Sequence, residues 1–133
     1  MTLMEPWRPP AISLDTNRSF FEQFADMIRS AIAKGELQAG QRIIAVREFA
    51  SIFRVNPNTV MRTYADLERE GFLQTFRGQG TFVTKDPSIL EKSKKVLARL
   101  AYEKWEETAK SLGMTIEQII EIARKENEEG EKL

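Results

Sequence analysis

The residues whose types could do chemistry form a short polar stretch in the middle of the chain. Asn56 is followed by Pro57, Asn58 and Thr59, and Arg62 comes one helical turn after Asn58. Asn56 and Pro57 predict the N-cap and first position of a helix, so the residues after them occupy its first turns. Asparagine can pair with adenine and arginine with guanine, and the free amides of a helix N-terminus attract phosphate. This stretch indicates either a helix that reads the major groove of DNA or an ordinary solvated helix face.

This predicted helix has two chemically different sides. At about 100° per residue, Val60, Tyr64 and Leu67 fall on one side and predict the face that packs on a core. The opposite side carries Asn58, Arg62, Ala65 and Arg69. Thr59 and Met61 lie on its two flanks.

Further basic residues come before and after this helix. Arg47 lies at the start of the preceding predicted helix, and Arg42 and Arg54 lie on either side of that helix. Arg77 and Gly78 open a turn of sequence Arg-Gly-Gln-Gly; glycine lets the backbone approach a surface closely, and arginine is attracted to narrow minor grooves. Each feature alone is equally consistent with a surface charge or a plain turn. Together with the polar helix face they favour contact with DNA.

Start and stop signals place these residues in a helix-turn-helix. Ser19 and Gly35 mark the ends of a first predicted helix, whose phenylalanine-rich stripe predicts core. Residues 36–42 are predicted to be a connection, residues 45–53 a second helix and residues 57–70 a third. Two helices joined by about three residues are typical of a helix-turn-helix.

Two short β-type runs follow, at residues 72–76 and 81–84, and the two glycines between them predict a hairpin. A helix-turn-helix followed directly by a hairpin is the outline of a winged helix. The predicted fold is therefore mostly α with a small β-hairpin. A winged helix-turn-helix domain over residues 12–85 precedes a two-helix extension over residues 86–133.

The extension carries a long apolar stripe. Its helices are predicted at residues 87–113 and from Thr115, which forms a capping box with Gln118, and residues 126–133 are predicted to fray. The stripe consists of Leu97, Leu100, Ala101, Trp105, Ala109, Leu112, Ile116, Ile119 and Ile120. Because such a stripe exceeds what one winged helix can cover, it predicts a homodimer interface. The alternative is packing on the first helix of the same chain.

The composition excludes most familiar enzyme classes. The chain of 133 residues has no cysteine and no histidine, which removes thiolates, disulfides, imidazole bases and the commonest metal ligand. The carboxylate pairs Glu106-Glu107 and Glu128-Glu129 belong to charged helical runs typical of a solvated face. We therefore expect no enzyme activity, metal site or cofactor. Since no uncharged stretch approaches the ~20 residues of a membrane span, and no signal-peptide core is found, we expect a cytoplasmic protein.

The net charge bears on the choice of partner. The 20 Lys and Arg residues balance 20 Asp and Glu residues, so the net charge is zero. Nucleic-acid-binding domains are usually basic. The neutral charge supports an alternative in which the winged helix binds another protein and no DNA. A salt-sensitive shift of duplex DNA would separate the two functions.

Seven motifs between residues 21 and 83 occur in a characteristic order and spacing. They are FEQF at 21–24, AIAKGEL at 31–37, GQRI at 40–43, VREFA at 46–50, VNPNTV at 55–60, YADLEREG at 64–71 and RGQGTFV at 77–83. This series resembles the DNA-binding domain of GntR-family bacterial transcription regulators. The short helical extension and the VNPNTV motif are similar to the YtrA-like subfamily, in which the extension serves dimerisation and no large effector-binding domain is present. The resemblance implies a sequence-specific regulator, a repressor, that binds a palindromic operator in double-stranded DNA as a homodimer.

The resemblance also implies individual DNA contacts. Arg47 matches a phosphate-contacting arginine at the start of the second helix, and Gly78 matches the wing-tip glycine that lies at the minor groove. Positions that meet phosphates or bases at the start of the third helix are matched by Asn56, Asn58, Thr59 and Met61.

The chain departs from the family pattern at two places. Many relatives have Leu-Pro-Ser where this chain has Ile44 and Ala45, so a proline and a hydroxyl are missing from the start of the second helix. Many relatives also have arginine at the position of Met61. Guanine reading then passes to Arg62, or Met61 makes an apolar contact with a thymine methyl group instead.

Overall fold

The computed structural model describes residues Met4–Glu131. Over this range the chain forms five helices and three strands: α1 (Phe20–Ala33), β1 (Arg42–Ile43), α2 (Val46–Phe53), α3 (Pro57–Arg69), β2 (Leu73–Phe76), β3 (Gly80–Val83), α4 (Pro87–Ser111) and α5 (Ile116–Glu131). The chain divides into two compact units, one ending at Lys95 and the other beginning at Val96. Each unit is described separately.

The helices of the first unit begin where the sequence predicts. Ser19 Oγ accepts a hydrogen bond from the Glu22 amide at 3.4 Å at the start of α1. Asn56 Oδ1 accepts one from the Asn58 amide at 2.9 Å at the start of α3, with Pro57 at the first helical position. These side chains satisfy amides that have no partner inside the helix. The predicted helix-turn-helix of α2 and α3 is confirmed.

The sheet has one strand more than the sequence predicted. Residues 36–42 were predicted to be a connection only, but Arg42 and Ile43 form β1, which pairs antiparallel with β3. The strand order is β1-β3-β2. Trp7 extends this sheet: its amide donates to the Arg42 carbonyl at 2.8 Å, and its carbonyl accepts from the Ile44 amide at 3.1 Å. A two-residue strand has no periodicity, so backbone pairing alone defines it.

Aromatic side chains fill the core of the first unit. Phe24 and Phe49 are fully buried and meet edge to face, with ring centroids 5.2 Å apart. Phe49 meets Tyr64 in the same way at 5.9 Å, and the Tyr64 hydroxyl donates to the buried Ile44 carbonyl at 2.8 Å. Burial, with a smaller contribution from the charge of Glu48, raises the pKa of Tyr64 far above its ordinary value. The phenylalanine stripe of α1 is core at Phe24, as predicted, whereas Phe20 is half-buried against that core and Phe21 is half-buried beside Arg62.

The first unit continues beyond the wing. Ile89 and Leu90, near the start of α4, pack against its core. Compactness divides the chain after Lys95, whereas the boundary predicted after residue 85 marks the end of the wing.

The second unit contains the end of α4 and all of α5. Thr115 Oγ1 accepts from the Gln118 amide at 3.2 Å, and Gln118 Oε1 accepts from the Thr115 amide at 2.8 Å, which confirms the capping box. Helix α5 continues to Glu131 through most of the segment predicted to fray, and residues 132–133 of that segment lie outside the described residues. Lysine and glutamate are good helix formers, and no proline interrupts this end.

Candidate nucleic-acid interface

The two sides of α3 are as the sequence predicted. Val60, Tyr64 and Leu67 are buried in the core of the first unit. The other side is exposed along its length and carries Asn58, Arg62, Ala65 and Arg69. A polar face is therefore held on a helix whose opposite face is fixed by packing.

The charges of α3 are separated along its axis. No Asp or Glu occurs in its N-terminal half, where the helix dipole is positive. The acids lie near its C-terminal end, and they are engaged: Asp66 pairs with Arg69 at 3.1 Å, and Glu70, just after the helix, pairs with Arg29 of α1 at 2.6 Å. The N-terminal half of α3 therefore presents an anion-attracting end with no acid of its own.

Arg62 is supported by a ring and not by a carboxylate. Its guanidinium carbon lies 4.6 Å from the centroid of the Phe21 ring, which belongs to α1. Within the part of the chain that the structure describes, no ion pair engages Arg62. Its hydrogen-bond donors are free to meet a base or a phosphate.

The residues near Arg62 differ in exposure and in the hydrogen bonds that they already make. Asn56 uses its side-chain oxygen to cap α3, which leaves its amide protons as the groups that can reach a phosphate. Thr59 is half-buried, and its carbonyl accepts from the Thr63 hydroxyl at 2.9 Å. Met61 is 56% exposed, so its apolar side chain is available at this surface.

Arg47 lies exposed in the first turn of α2. Ala45 occupies the N-cap of this helix and makes no side-chain cap bond, as expected from the missing hydroxyl. The helix ends at Arg54, whose φ of 54° is left-handed, and the chain turns there toward α3. The turn between the two helices is therefore made without glycine.

The wing is anchored to α3 by a residue that sequence reasoning missed. Glu68 Oε1 accepts from the Thr75 amide at 3.2 Å, and Glu68 Oε2 accepts from the Thr75 hydroxyl at 3.3 Å. The Thr75 hydroxyl also lies 3.2 Å from that of Thr81 across the hairpin. Only the short separation of seven residues between Glu68 and Thr75 could have suggested this contact.

The two glycines of the wing tip both have a positive φ, but their surroundings differ. Gly78 has a φ of +80°, and no described atom lies within 4 Å of the place where a Cβ would stand. Gly80 has a φ of +122°, and the side chain of Arg42 crosses it, so an added Cβ would lie 3.0 Å from Arg42 Nε. Gly78 is therefore open to an outside partner, whereas Gly80 is covered by Arg42. Arg77, beside Gly78, is exposed.

The predicted dimerisation residues all lie in the second unit and divide into three groups by their exposure. Leu100, Ala101, Trp105, Leu112 and Ile120 are exposed, with Trp105 and Leu112 at 61%. Leu97 and Ile119 are half-buried. Ala109 and Ile116 are corrections to the predicted surface, because both side chains are buried inside this unit.

Comparison with known proteins identifies the fold. The family model described as "Bacterial regulatory proteins, gntR family" matches residues 21–83. A GntR family transcriptional regulator from Listeria monocytogenes is similar in structure, with a TM-score of 0.75 and 31% identity over 84% of this chain and 98% of that one. This chain belongs to the GntR family. It is therefore a DNA-binding transcription regulator and not an enzyme, and the resemblance carried by the seven motifs is confirmed.

Relatives from Bacillus subtilis include two HTH-type proteins. The uncharacterized HTH-type transcriptional regulator YhcF is 38% identical over 106 residues, which are 80% of this chain and 88% of YhcF. The HTH-type transcriptional repressor YtrA is 38% identical over 77 residues, which are 56% of this chain and 59% of YtrA. Among residues Met4–Glu131, no helix is long and apolar enough to cross a membrane, and no three Asp or Glu side chains are grouped to hold a metal ion.

Proposed function

We propose that this chain is a repressor that binds a palindromic operator as a homodimer. The observation that carries the proposal is the N-terminal half of α3, where Asn58 and Arg62 are exposed, acid-free and held on a rigid helix. In this proposal α3 enters the major groove, with Asn58 on adenine and Arg62 on guanine. Met61 contacts a thymine methyl group beside them.

The residues around α3 position the protein on the sugar-phosphate backbone. Arg47 contacts a phosphate, and so do Asn56 and Thr59 at the helix N-terminus, where amides and the helix dipole favour an anion. Gly78 lies against the edge of the minor groove, and Arg77 supplies a positive charge there. The open space around Gly78 supports this placement.

The second unit supports the homodimer. Trp105 and Leu112, each 61% exposed, are large apolar side chains that two surface helices leave in water. Pairing of two copies through this surface removes them from water and creates a two-fold axis. The two reading helices then meet half-sites about one turn of DNA apart, ~34–36 Å.

Repression follows from occupancy, since a dimer seated on an operator excludes other proteins from the same DNA. The relative YtrA is a transcriptional repressor by its name, which supports the same sign of regulation here. A repressor of chromosomal genes works in the cytoplasm, and we propose that location.

The test of DNA reading is selection of bound sequences from a random duplex pool with the full chain. We expect one palindrome to be enriched. On that duplex, Arg62→Ala should cost about 1–3 kcal/mol and relax the preference at one base position. Arg69→Ala is the matched control, because Arg69 lies on the same helix face but pairs with Asp66. No enrichment of any duplex would replace the proposal with a protein-binding winged helix.

The test of the wing is a salt titration of affinity. Arg77→Ala should lower the slope of log K against log salt by about 0.9, the value of one phosphate contact. Gly78→Glu should weaken binding to all sequences, because it adds bulk and negative charge near phosphate; a thermal melt separates this effect from strain at a positive φ. Parallel titrations of wild type and Arg77→Ala would remove Arg77 from the interface.

The test of the homodimer is sedimentation of the full chain. Trp105→Glu should yield monomers that bind half-sites weakly, because it places a charge in the proposed interface. Lys104→Gln changes the net charge by the same amount at the neighbouring exposed position and should leave the dimer intact. A Trp105→Glu chain that stays dimeric would contradict this interface.

A further inference from the structure

The contact between Phe21 and Arg62 joins the first helix to the proposed reading helix. The guanidinium carbon of Arg62 lies 4.6 Å from the centroid of the Phe21 ring, inside the ~6 Å range in which the ring's negative face attracts a cation. Phe21 is half-buried on α1, outside the helix-turn-helix, and Arg62 is exposed on α3.

A ring supports an arginine differently from a carboxylate. A carboxylate occupies the N–H donors at the edge of the guanidinium, as Glu70 does for Arg29 at 2.6 Å and Asp66 for Arg69 at 3.1 Å. An aromatic ring contacts the face and leaves the in-plane donors free. Arg62 is therefore held in place without losing the donors that would pair with guanine.

We propose that Phe21 is a positioning residue for DNA reading. It holds Arg62 in the orientation that meets a guanine, so base preference depends on a residue of α1. The proposal rests on the proposed operator-reading role of α3. Phe21 itself touches no DNA in this arrangement, because its ring lies beneath the arginine.

The test is a double-mutant cycle in the full chain, with Phe21→Leu, Arg62→Ala and the double variant. Binding is measured on the selected palindrome and on a duplex in which the guanine read by Arg62 is replaced. We expect Phe21→Leu to weaken binding to the palindrome about two- to fivefold, with little change on the replaced duplex. In the Arg62→Ala background, Phe21→Leu should have no further effect.

Two variants separate positioning from packing. Phe20→Leu is the matched control, because Phe20 is the neighbouring half-buried ring of α1 and packs toward Phe24, with centroids 6.4 Å apart. It should lower the melting temperature and leave the base preference unchanged. Phe21→Tyr keeps the ring and should keep the preference.

A fluorinated series keeps the test decisive where Phe21→Leu unfolds the chain. Fluorination of the Phe21 ring preserves its shape and weakens its negative face, so affinity for the palindrome should fall stepwise with each fluorine. Unchanged affinity across the series, or an equal loss from Phe21→Leu with and without Arg62, would overturn the positioning role. If wild type selects a palindrome but Arg62→Ala binds it equally well, this inference fails, and the proposed operator binding stands without Arg62 as the guanine reader. If wild type selects no duplex, the proposed function fails first.

Discussion

The two compact units treat their large apolar side chains in opposite ways. In the first unit Phe24 and Phe49 have no exposed surface, and three helices and a sheet enclose them. In the second unit Trp105 and Leu112 are each 61% exposed. The first unit thus contains its own hydrophobic core, whereas the second leaves large apolar side chains in contact with water.

The difference follows from the number of layers in each unit. A helix buries one face, and a core requires elements on several sides of it. The second unit has two helical segments, in which Ala109 and Ile116 are buried and large side chains such as Trp105 remain exposed. The two units therefore differ in how they treat apolar side chains: the first buries its aromatic residues in a core, and the second leaves large apolar side chains exposed.

Replacing one aromatic side chain by alanine in each unit should give the largest difference in stability between the two variants. Phe49→Ala should lower the free energy of unfolding by about 3–5 kcal/mol, because it leaves a cavity between Phe24 and Tyr64. Trp105→Ala should change the stability of the dilute monomer by less than about 0.5 kcal/mol. Urea denaturation at two protein concentrations checks both, since wild type should gain stability with concentration and Trp105→Ala should not. A dilute Trp105→Ala chain as unstable as Phe49→Ala would break the comparison.

Loss of one helix cap in each unit should give a smaller contrast. Asn56→Ala removes the 2.9 Å bond to the Asn58 amide and should cost about 1 kcal/mol of global stability, because α3 is part of the core. Thr115→Ala opens the capping box of α5 and should reduce helicity locally without moving the main urea transition. Asn56→Asp retains the acceptor and should restore the midpoint. Equal shifts of the midpoint from the two alanine variants would show that the units unfold as one.

The smallest expected difference between the two units is in the titration of their tyrosines, Tyr64 and Tyr102. Burial raises the pKa of Tyr64, whereas the negative charge of Glu106 raises the pKa of the exposed Tyr102. Added salt should lower the pKa of Tyr102 by screening and leave Tyr64 un-ionised in the folded chain. Tyrosinate absorbance in low and high salt checks this. Titration of both tyrosines together below the unfolding transition would contradict it.

The burial of Tyr64 also determines how the stability of the folded chain changes with pH. The Tyr64 contribution to stability is fully present below the ordinary pKa of 10.0 and declines above it, because the unfolded chain then releases a proton that the folded chain keeps. Tyr64→Phe should remove this decline, at the cost of leaving the Ile44 carbonyl unpaired.

Local signals in the sequence were sufficient to predict the helices and most of the candidate surface. Asn56 and Pro57 define the start of α3 by cap chemistry alone, and its period of 3.6 separates Tyr64 from Arg62. Which side chains lie on this surface, and that they are exposed, could therefore be predicted from the sequence.

Contacts between residues distant in sequence were not predictable. Trp7 pairs with Ile43, and Phe21 supports Arg62, through proximity that only the packed fold creates. Glu68 resembles any exposed helical glutamate until the wing brings Thr75 to it. Ala109 and Ile116 have the same apolar character as their exposed neighbours, and only the folded structure shows that these two are buried.

The two tryptophans lie one in each compact unit, so each unit has its own intrinsic fluorophore. Trp7 is half-buried beside β1 in the first unit, and Trp105 is 61% exposed in the second. The chain has no other tryptophan. A Trp105→Phe chain therefore emits from the first unit alone, and a Trp7→Phe chain from the second alone. Trp7 fluorescence then reports unfolding of the first unit, and Trp105 fluorescence reports the proposed association through the second, without an added dye.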